Sequence, residues 1–384
     1  MTQRTEQAAP PETATWQRRH DVDWLRTMAL GLLIIYHNMI SFQPWAKMFY
    51  FIQNREPLEE LWIFMGMMNV WRIPILFIIS GMGVRFAMER RDWKEFLKDR
   101  TIRILLPLVF GYFFICPVHI FIALKAFGVK PAYYPNPGHL WFLVNIYVYV
   151  LIFLPLLVYL KNRPGNGLIG LTARIFKRSW GVFILAPLIM VEAGLVNPVQ
   201  FSGYNQTLHG WLIGAICFLS GFVFVSTGDA FWRSVGRVRW YALAPALGLY
   251  LVRLAVFRFQ GVPSLLIGLE SACWILAILG FGTRYLNSSS TPLTYFSRAV
   301  FPVYIIHFPV QYLISYYLLP LELPALLKLA LLIIGTFGFC LLIYEYLLKR
   351  SGLLRPLFGI KAPWSVAFTK SGRSGSVREG EPLY

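Results

Sequence analysis

The sequence predicts an all-α integral membrane protein, a bundle of about ten transmembrane helices with both termini in the cytoplasm. Hydrophobic residues make up 57% of the 384-residue chain and charged residues only 14%, which is unlike a soluble domain. Apolar runs of roughly 18 to 23 residues recur, separated by short segments rich in Arg, Lys, Pro and Gly. Lys and Arg are concentrated in alternate connecting segments, which predicts the orientation.

Ten apolar runs are long enough to cross a bilayer, since a helix needs about 20 apolar residues to do so. Residues 1–19 are polar and do not resemble a cleavable signal, so the first run is expected to be a full span. The predicted spans are Leu25–Phe42, Trp62–Val84, Ile104–Leu124, Leu140–Leu160, Trp180–Val199, Trp211–Ser226, Tyr241–Phe257, Ser264–Thr283, Val300–Leu318 and Ala325–Leu348.

The predicted organisation is one membrane domain, residues 25–348, between two cytoplasmic tails. Residues 1–24 form the first tail, and residues 349–384 form a basic tail that is expected to be partly disordered. Most of the 36 Lys and Arg residues lie in predicted cytoplasmic segments, which explains the net charge of +18 without nucleic-acid binding. Because no internal repeat is found, the sequence lacks one signal typical of secondary transporters.

The four cysteines lie inside apolar runs, and none has the close spacing of a metal or redox motif. We interpret Cys116, Cys217, Cys273 and Cys340 as small buried hydrophobic residues. No pair of histidines has the spacing of a two-histidine zinc site. The sequence analysis therefore predicts no metal.

Ionisable residues inside predicted spans are the first candidates for function, because they are costly in a bilayer. Arg26 and His37 lie eleven positions apart on the first span, which places them about 16 Å apart along nearly the same helix face. A neutral imidazole can accept a proton from an attacking hydroxyl, and an arginine can bind phosphate or developing negative charge. The alternative is a hydrogen-bonded histidine that only packs helices together.

Further cations lie in and after the second span. Arg72 is close to Pro74, which frees backbone groups, so its side chain is expected to face the bundle interior. Arg100 and Arg103 end the following loop and share a face at i, i+3. Two guanidinium groups can hold a phosphate or pyrophosphate of a nucleotide-bearing donor, although contact with lipid headgroups is the alternative.

The later spans contain candidate aromatic and polar residues. His139 and Trp141 begin the fourth span, where aromatic rings either stack on sugars or belong to the interfacial belt. Tyr304 and His307 place a second intramembrane imidazole in the ninth span, beside a proline. Glu345 in the tenth span is a candidate partner for a buried arginine.

In this order the segments resemble the membrane-bound acyltransferase family 3, and within it the glucan biosynthesis protein C group that succinylates osmoregulated periplasmic glucans. The resemblance covers nearly the whole chain. The matching elements are Arg26-x10-His37, Arg72 with the run through Gly81, Arg100-x-x-Arg103, His139-Leu-Trp-Phe-Leu, Tyr304-x-x-His307-x-Pro309, and Glu345 with Pro356-Leu-Phe-Gly.

The resemblance implies a multi-pass enzyme of the bacterial inner membrane. It would move a succinyl or acetyl group from cytoplasmic acyl-CoA to a hydroxyl of a periplasmic glucan or another envelope glycan. Acyl-CoA is then the donor substrate, and no cofactor is bound. The implied partners are acyl-CoA, the glycan acceptor and membrane lipids, and not nucleic acid.

The resemblance also assigns roles to residues. The catalytic residues would be His37 as general base on the sugar hydroxyl, with Arg26 and Arg72 along the acyl path. Arg100 and Arg103 would contact the CoA phosphates. The acceptor or acyl path would include His139, Trp141, Tyr304, His307 and Glu345. A relay through acylated His37 remains an alternative to general-base catalysis.

Two other classes of protein fit part of the sequence. A secondary transporter of a small polar or anionic solute would use the buried residues Arg72, Glu192, Arg253 and Glu270 as its path. A structural or lipid-binding protein would contain buried charges that only pair with each other. The joint occurrence of Arg26, His37, Arg100 and Arg103 favours the enzyme.

Overall fold

The computed structural model describes residues 18–163, 165 and 167–360, and these are helical and contain no strand. Eight helices in this part of the chain are long and apolar enough to cross a membrane. This confirms the predicted class, a multi-pass helical membrane protein. The eight are Leu61–Glu89, Trp93–Ala126, Gly138–Asn162, Ser179–Val196, Leu208–Ser226, Ser264–Tyr285, Thr291–Leu318 and Ala325–Leu348.

We number the helices in chain order. The first of the eight stretches is divided into α2 and α3, and the third begins with a short turn before α5. The helices are α1 His20–Ile40, α2 Leu61–Asn69, α3 Arg72–Glu89, α4 Trp93–Ala126, α5 Trp141–Asn162, α6 Gly167–Lys177, α7 Ser179–Val196, α8 Leu208–Ser226, α9 Asp229–Ala255, α10 Ser264–Tyr285, α11 Thr291–Leu318, α12 Ala325–Leu348 and α13 Leu354–Leu357.

The predicted first and seventh spans are the long helices α1 and α9, but neither is among the eight apolar enough to be counted. Polar residues on both helices explain the difference. On α1, Asp21 and Asn38 are fully buried within the protein, so they do not face lipid. Helix α1 packs against α3, α10, α11 and α12, which makes it a central helix of the bundle.

The predicted second span is broken into α2 and α3 at Val70 and Trp71. The break leaves backbone carbonyl groups of α2 without their helical partners. The hydroxyl of Tyr204 donates to the carbonyl oxygens of Asn69 (3.0 Å) and Val70 (3.4 Å), and this satisfies them inside the bundle. Arg72 is therefore the first residue of α3 and not a mid-helix residue.

Helices α3 and α8 cross at two reciprocal glycines. A side chain at Gly81 would collide with the carbonyl oxygen of Phe218, and one at Gly221 would collide with the carbonyl oxygen of Ile78. Small residues let helix backbones approach closely in membranes, where packing replaces the hydrophobic driving force. This contact anchors α3 beside α8.

The connection predicted as a loop between the second and third spans is almost entirely helical. Helix α3 continues to Glu89, and α4 begins at Trp93 after the capping residue Asp92, whose side chain accepts from the Glu95 backbone N–H at 2.7 Å. Arg100 and Arg103 therefore lie on α4, which continues into the third span.

The residues that follow α12 pack against the helical bundle. Residues 349–360 include α13 and bury Pro356 and Phe358 against the helices. Phe358 packs on Phe110 of α4, with ring centroids 5.6 Å apart. The tail predicted to be partly disordered lies outside the described residues from position 361 onward.

Candidate active site

One cavity of about 440 Å³ lies among α1, α3, α4, α5, α11, α12 and the residues after α12. One part of its wall is cationic, and the rest is mostly apolar. The cationic residues are Arg26, Arg100, Arg103, Arg298, Lys349 and Arg355, and the apolar wall includes Leu30, Leu76, Phe142, Leu143, Ile146 and Tyr304.

The cationic part of the cavity has more positive charge than its carboxylates balance. Three carboxylates pair with cations there: Asp23 with Arg26 (3.3 Å), Asp99 with Arg103 (2.8 Å) and Glu345 with Lys349 (2.8 Å). In the described part of the chain, the Nε and Nη2 atoms of Arg100 are buried and have no hydrogen-bond partner. A buried guanidinium with unpartnered nitrogen atoms favours an anionic ligand.

The sequence predicts only half of these cations. Arg26, Arg100 and Arg103 are predicted site residues, but Arg298, Lys349 and Arg355 are not. Arg298 lies in a predicted connecting segment, and the other two lie in the predicted tail. The only available signal was their position next to the ninth and tenth spans, which is also what membrane orientation requires.

Four of the six histidines form one cluster: His37, His119, His139 and His307. Nδ1 of His37 lies 3.1 Å from Nε2 of His307, and the two rings are parallel within 8°. The ring of His139 meets that of His307 edge to face, with centroids 4.8 Å apart. The structure thus brings together the three predicted histidines and adds His119, for which the sequence indicates no partner.

The hydrogen bonds in the cluster determine which nitrogen of His37 is basic. Nδ1 of His307 lies 2.6 Å from the carbonyl oxygen of Tyr304, which only accepts, so Nδ1 is the protonated nitrogen. In the neutral ring, Nε2 of His307 is then an acceptor for the N–H at Nδ1 of His37. Neutral His37 consequently has its lone pair on Nε2, as a general base requires.

Tyr304 connects the cavity to the histidines. It lines the cavity, its carbonyl oxygen accepts from both His307 and His139, and its hydroxyl donates to the carbonyl oxygen of His139. His37 is further held by Gln311, whose side-chain amide donates to the His37 carbonyl oxygen at 2.8 Å. The cationic cavity and the histidine cluster are therefore neighbours within one site.

Three predicted residues lie apart from this junction. The guanidinium of Arg72 is buried over the ring of Tyr36 at 3.5 Å, and Arg72 is not among the residues that line the described cavity. Trp141 lines a second, mostly apolar cavity of about 550 Å³ together with Trp211. Glu345 forms an ion pair with Lys349 at the cationic end.

The sequence profile of an acyltransferase domain matches residues 19–345, which include both the cavity helices and the histidine cluster. The chain belongs to acyltransferase family 3. The resemblance predicted from the ordered motifs is thereby confirmed, and so is the prediction that the protein is an acyltransferase.

Curated relatives of this family-3 acyltransferase include proteins named "Glucans biosynthesis protein C" from several strains of Escherichia coli, among them O1:K1 / APEC and UTI89 / UPEC. Each is 22% identical over 387 aligned residues, which cover 90% of this chain and 95% of the relative. The similarity therefore extends over nearly the whole of both chains. No solved structure matches the chain.

Three of the four buried residues that a transporter would use have an acid–base partner inside this family-3 fold. Arg253 binds Glu270 through two hydrogen bonds of 2.7 and 2.8 Å, and Glu192 lies 2.8 Å from Nδ1 of His209. None of these four lines the described cavity. Their arrangement is that of internal helix contacts rather than of a solute path.

Proposed function

We propose that the protein transfers an acyl group from acyl-CoA to a hydroxyl group of a periplasmic glucan or a related envelope glycan. One observation carries this proposal: a single cavity has a cationic end and an apolar wall that reaches Tyr304, beside the histidine pair. This polarity suits a donor with a polyphosphate at one end and an acyl thioester at the other. The glycan acceptor is proposed from the name of the E. coli relatives.

The cationic end would bind the CoA phosphates. Arg100 has unpartnered buried nitrogen atoms, and Arg298, Lys349 and Arg355 add donors around the same opening. Guanidinium groups bind phosphate oxygens through two parallel hydrogen bonds, which positions the ligand as well as attracting it. Because acyl-CoA is a cytoplasmic metabolite, this end would face the cytoplasm and the protein would lie in the inner membrane.

The apolar wall would accept the thioester end of the donor. Arg26 lines the cationic end and His37 belongs to the cluster, and the straight helix α1 separates them axially by about 16 Å. A donor fixed by its phosphates can therefore extend along α1 towards the histidines. Fixing the thioester in this way supplies the proximity that a two-substrate reaction needs.

In the proposed reaction, Nε2 of His37 takes the proton of the acceptor hydroxyl as its oxygen attacks the thioester carbonyl carbon. The new C–O bond forms, the C–S bond breaks, and the sulfur leaves as thiolate. The imidazolium then returns the proton to sulfur, which releases CoA as the thiol. His307 accepts the hydrogen bond from Nδ1 of His37 and so holds the basic nitrogen towards the substrate.

The test is mass spectrometry of periplasmic glucans and other envelope glycans from cells with the wild-type chain, cells without it, and cells with His37→Ala. We expect succinyl or acetyl groups on a glycan only when the wild-type chain is present. Purified wild-type protein should also consume the matching acyl-CoA when that glycan is added. The His37→Ala variant should reach the membrane at a normal level but transfer nothing, because only proton transfer is lost.

The outcomes separate the parts of the proposal. Succinyl loss from glucans would support the assignment in full, and acetyl loss from another glycan would replace the acceptor and acyl group but keep the reaction. Normal transfer by His37→Ala would overturn the role of His37. No change in any glycan would overturn the proposed acceptor class and would favour the alternative of a secondary transporter.

A further inference from the structure

A group of three potential metal ligands lies beside the histidine pair and has no part in the proposed reaction. Cys116 and His119 are three residues apart on α4, so their side chains share one helix face, and His139 comes from the turn that precedes α5. One ligand atom from each residue lies within 4.8 Å of the others. All three side chains are buried, with exposures of 0%, 5% and 5%.

The imidazole of His139 is oriented as a ligand by its hydrogen bonds. Nε2 of His139 lies 3.1 and 3.0 Å from the carbonyl oxygens of Tyr304 and Ile305, so it is the protonated nitrogen. The lone pair of neutral His139 is then on Nδ1. In the described part of the chain, this Nδ1 and the Nδ1 of His119 are buried without a hydrogen-bond partner.

Two buried imidazole nitrogens without partners are costly, and such groups in a native protein require an explanation. A metal ion bound by these nitrogens would supply it. Ligating histidines characteristically donate their second ring N–H to a backbone carbonyl, which fixes the ring. The Nε2–H group of His139 lies beside two such carbonyl oxygens, those of Tyr304 and Ile305.

The loop before α5 approaches the ligands closely at Gly138. Gly138 has a φ of +46°, and a side chain there would lie 3.0 Å from Cε1 of His119 and 3.1 Å from Sγ of Cys116. The side-chain oxygen of Asn136 lies 3.3 Å from the same point. Its amide nitrogen donates to the Tyr134 carbonyl oxygen at 2.9 Å, which orients the side chain beside the ligands.

We propose that Cys116, His119 and His139 bind one zinc ion, with the side-chain oxygen of Asn136 at the fourth position. One thiolate and two imidazoles are ligands that zinc prefers, whereas magnesium and calcium require oxygen ligands. On binding, the Cys116 thiol releases its proton to solvent and gives up its hydrogen bond to the Pro137 carbonyl oxygen (3.3 Å). This proposal replaces the prediction of no metal, which rested on sequence spacing alone.

The ion would connect the end of α4 to the turn that begins α5. That turn holds His139, whose ring packs on His307, the partner of His37. The ion is thus proposed as a structural clamp on the wall of the histidine cluster. None of the three ligands lines the cavity that would hold the donor, so zinc content can be measured separately from acyl transfer.

The test measures zinc in the full-length protein purified through a tag without histidine. We expect about one zinc ion per chain by elemental mass spectrometry, as in a structural site. Cys116→Ala and His119→Ala should each weaken zinc binding at least ~10-fold in competition with a chromophoric chelator. Cys217→Ala removes another fully buried cysteine and should leave zinc content unchanged.

A second readout uses the wild-type chain and does not depend on the stability of variants. Because Cys116 is fully buried, alkylation is followed during unfolding in denaturant: zinc should slow the labelling of the Cys116 peptide, and a strong chelator should remove this protection. Cobalt substitution should produce a thiolate-to-cobalt absorption band that Cys116→Ala lacks. Three results would each overturn the proposal. They are less than one metal ion per chain after zinc titration, copper in place of zinc, and alkylation of Cys116 at the same rate with and without the chelator.

Discussion

At the scale of single residues, the cluster contains a chain of hydrogen bonds with a fixed direction. The Tyr304 carbonyl oxygen orders His307, and His307 orders His37. Only one of the two neutral forms of His37 fits this chain, and in that form the lone pair is on Nε2. If His37 is the general base proposed above, its reactivity depends on His307, which need not contact the substrate.

Replacing His307 tests this dependence. We expect His307→Ala to lower kcat about 100-fold or more, because the tautomer and orientation of His37 are no longer fixed. KM for acyl-CoA should change little. His307→Gln should recover part of the loss, since its side-chain oxygen can accept the same hydrogen bond. Steady-state kinetics in detergent measures both values, and wild-type kcat in His307→Ala would contradict the assignment.

Replacing Arg100 tests whether the cationic end of the cavity binds acyl-CoA. We expect Arg100→Ala to weaken acyl-CoA binding about 10-fold or more, mainly as a higher KM, because a charge-assisted phosphate contact is lost. Arg90→Ala is the matched control, since it removes the same charge from an exposed position nearby. Titration with acyl-CoA by calorimetry compares the two variants. Equal donor affinity in both would assign Arg100 to lipid headgroups instead.

At the scale of helices, the crossing of α3 and α8 places Arg72 and the wall of the cavity. Gly81→Ala should destabilise the protein by about 1–3 kcal/mol, because its methyl group meets the backbone of α8. Gly83→Ala adds the same group on the same helix but in open space, and should not destabilise it. Thermal unfolding in detergent measures the difference. Equal stability of the two variants would show that the helices do not cross here.

The break between α2 and α3 depends on one tyrosine hydroxyl. Tyr204→Phe should cost about 1 kcal/mol, because the buried carbonyl oxygens of Asn69 and Val70 lose their donor. Tyr241→Phe removes a hydroxyl from an exposed side chain and serves as the control. The measurement is again thermal unfolding. A Tyr204→Phe variant as stable as the control would mean that other donors satisfy the break.

At the scale of the whole molecule, the orientation remains a prediction. If α1 and α9 cross the membrane together with the eight more apolar helices, both chain ends lie on the same side. The distribution of Lys and Arg predicts that this side is the cytoplasm. Fusions of a reporter that is active only in the cytoplasm should be active after residue 360 and inactive within the 127–137 connection. The reverse pattern would place the cationic cavity outside and contradict acyl-CoA as donor.

The sequence by itself determined the class of protein and the order of its helices. In a bilayer every backbone polar group must be satisfied within a helix, so a long apolar run leaves few alternatives. It also predicted candidate site residues, since ionisable residues in or beside apolar runs are conspicuous. These are Arg26, His37, Arg100, Arg103, His139 and His307. Its errors were local, as at α4, which starts within the predicted loop because Asp92 caps it.

Only the tertiary structure decided which of these residues meet. His37 and His307 are 270 positions apart, and Arg298, Lys349 and Arg355 join the cavity from segments that resemble ordinary cytoplasmic flanks. Cys116, His119 and His139 likewise meet across a loop. The physical reason is that hydropathy specifies insertion but not lateral packing. Which helices pack together depends on small residues and single polar contacts, such as Gly81 against α8. No periodicity in the sequence reveals these contacts.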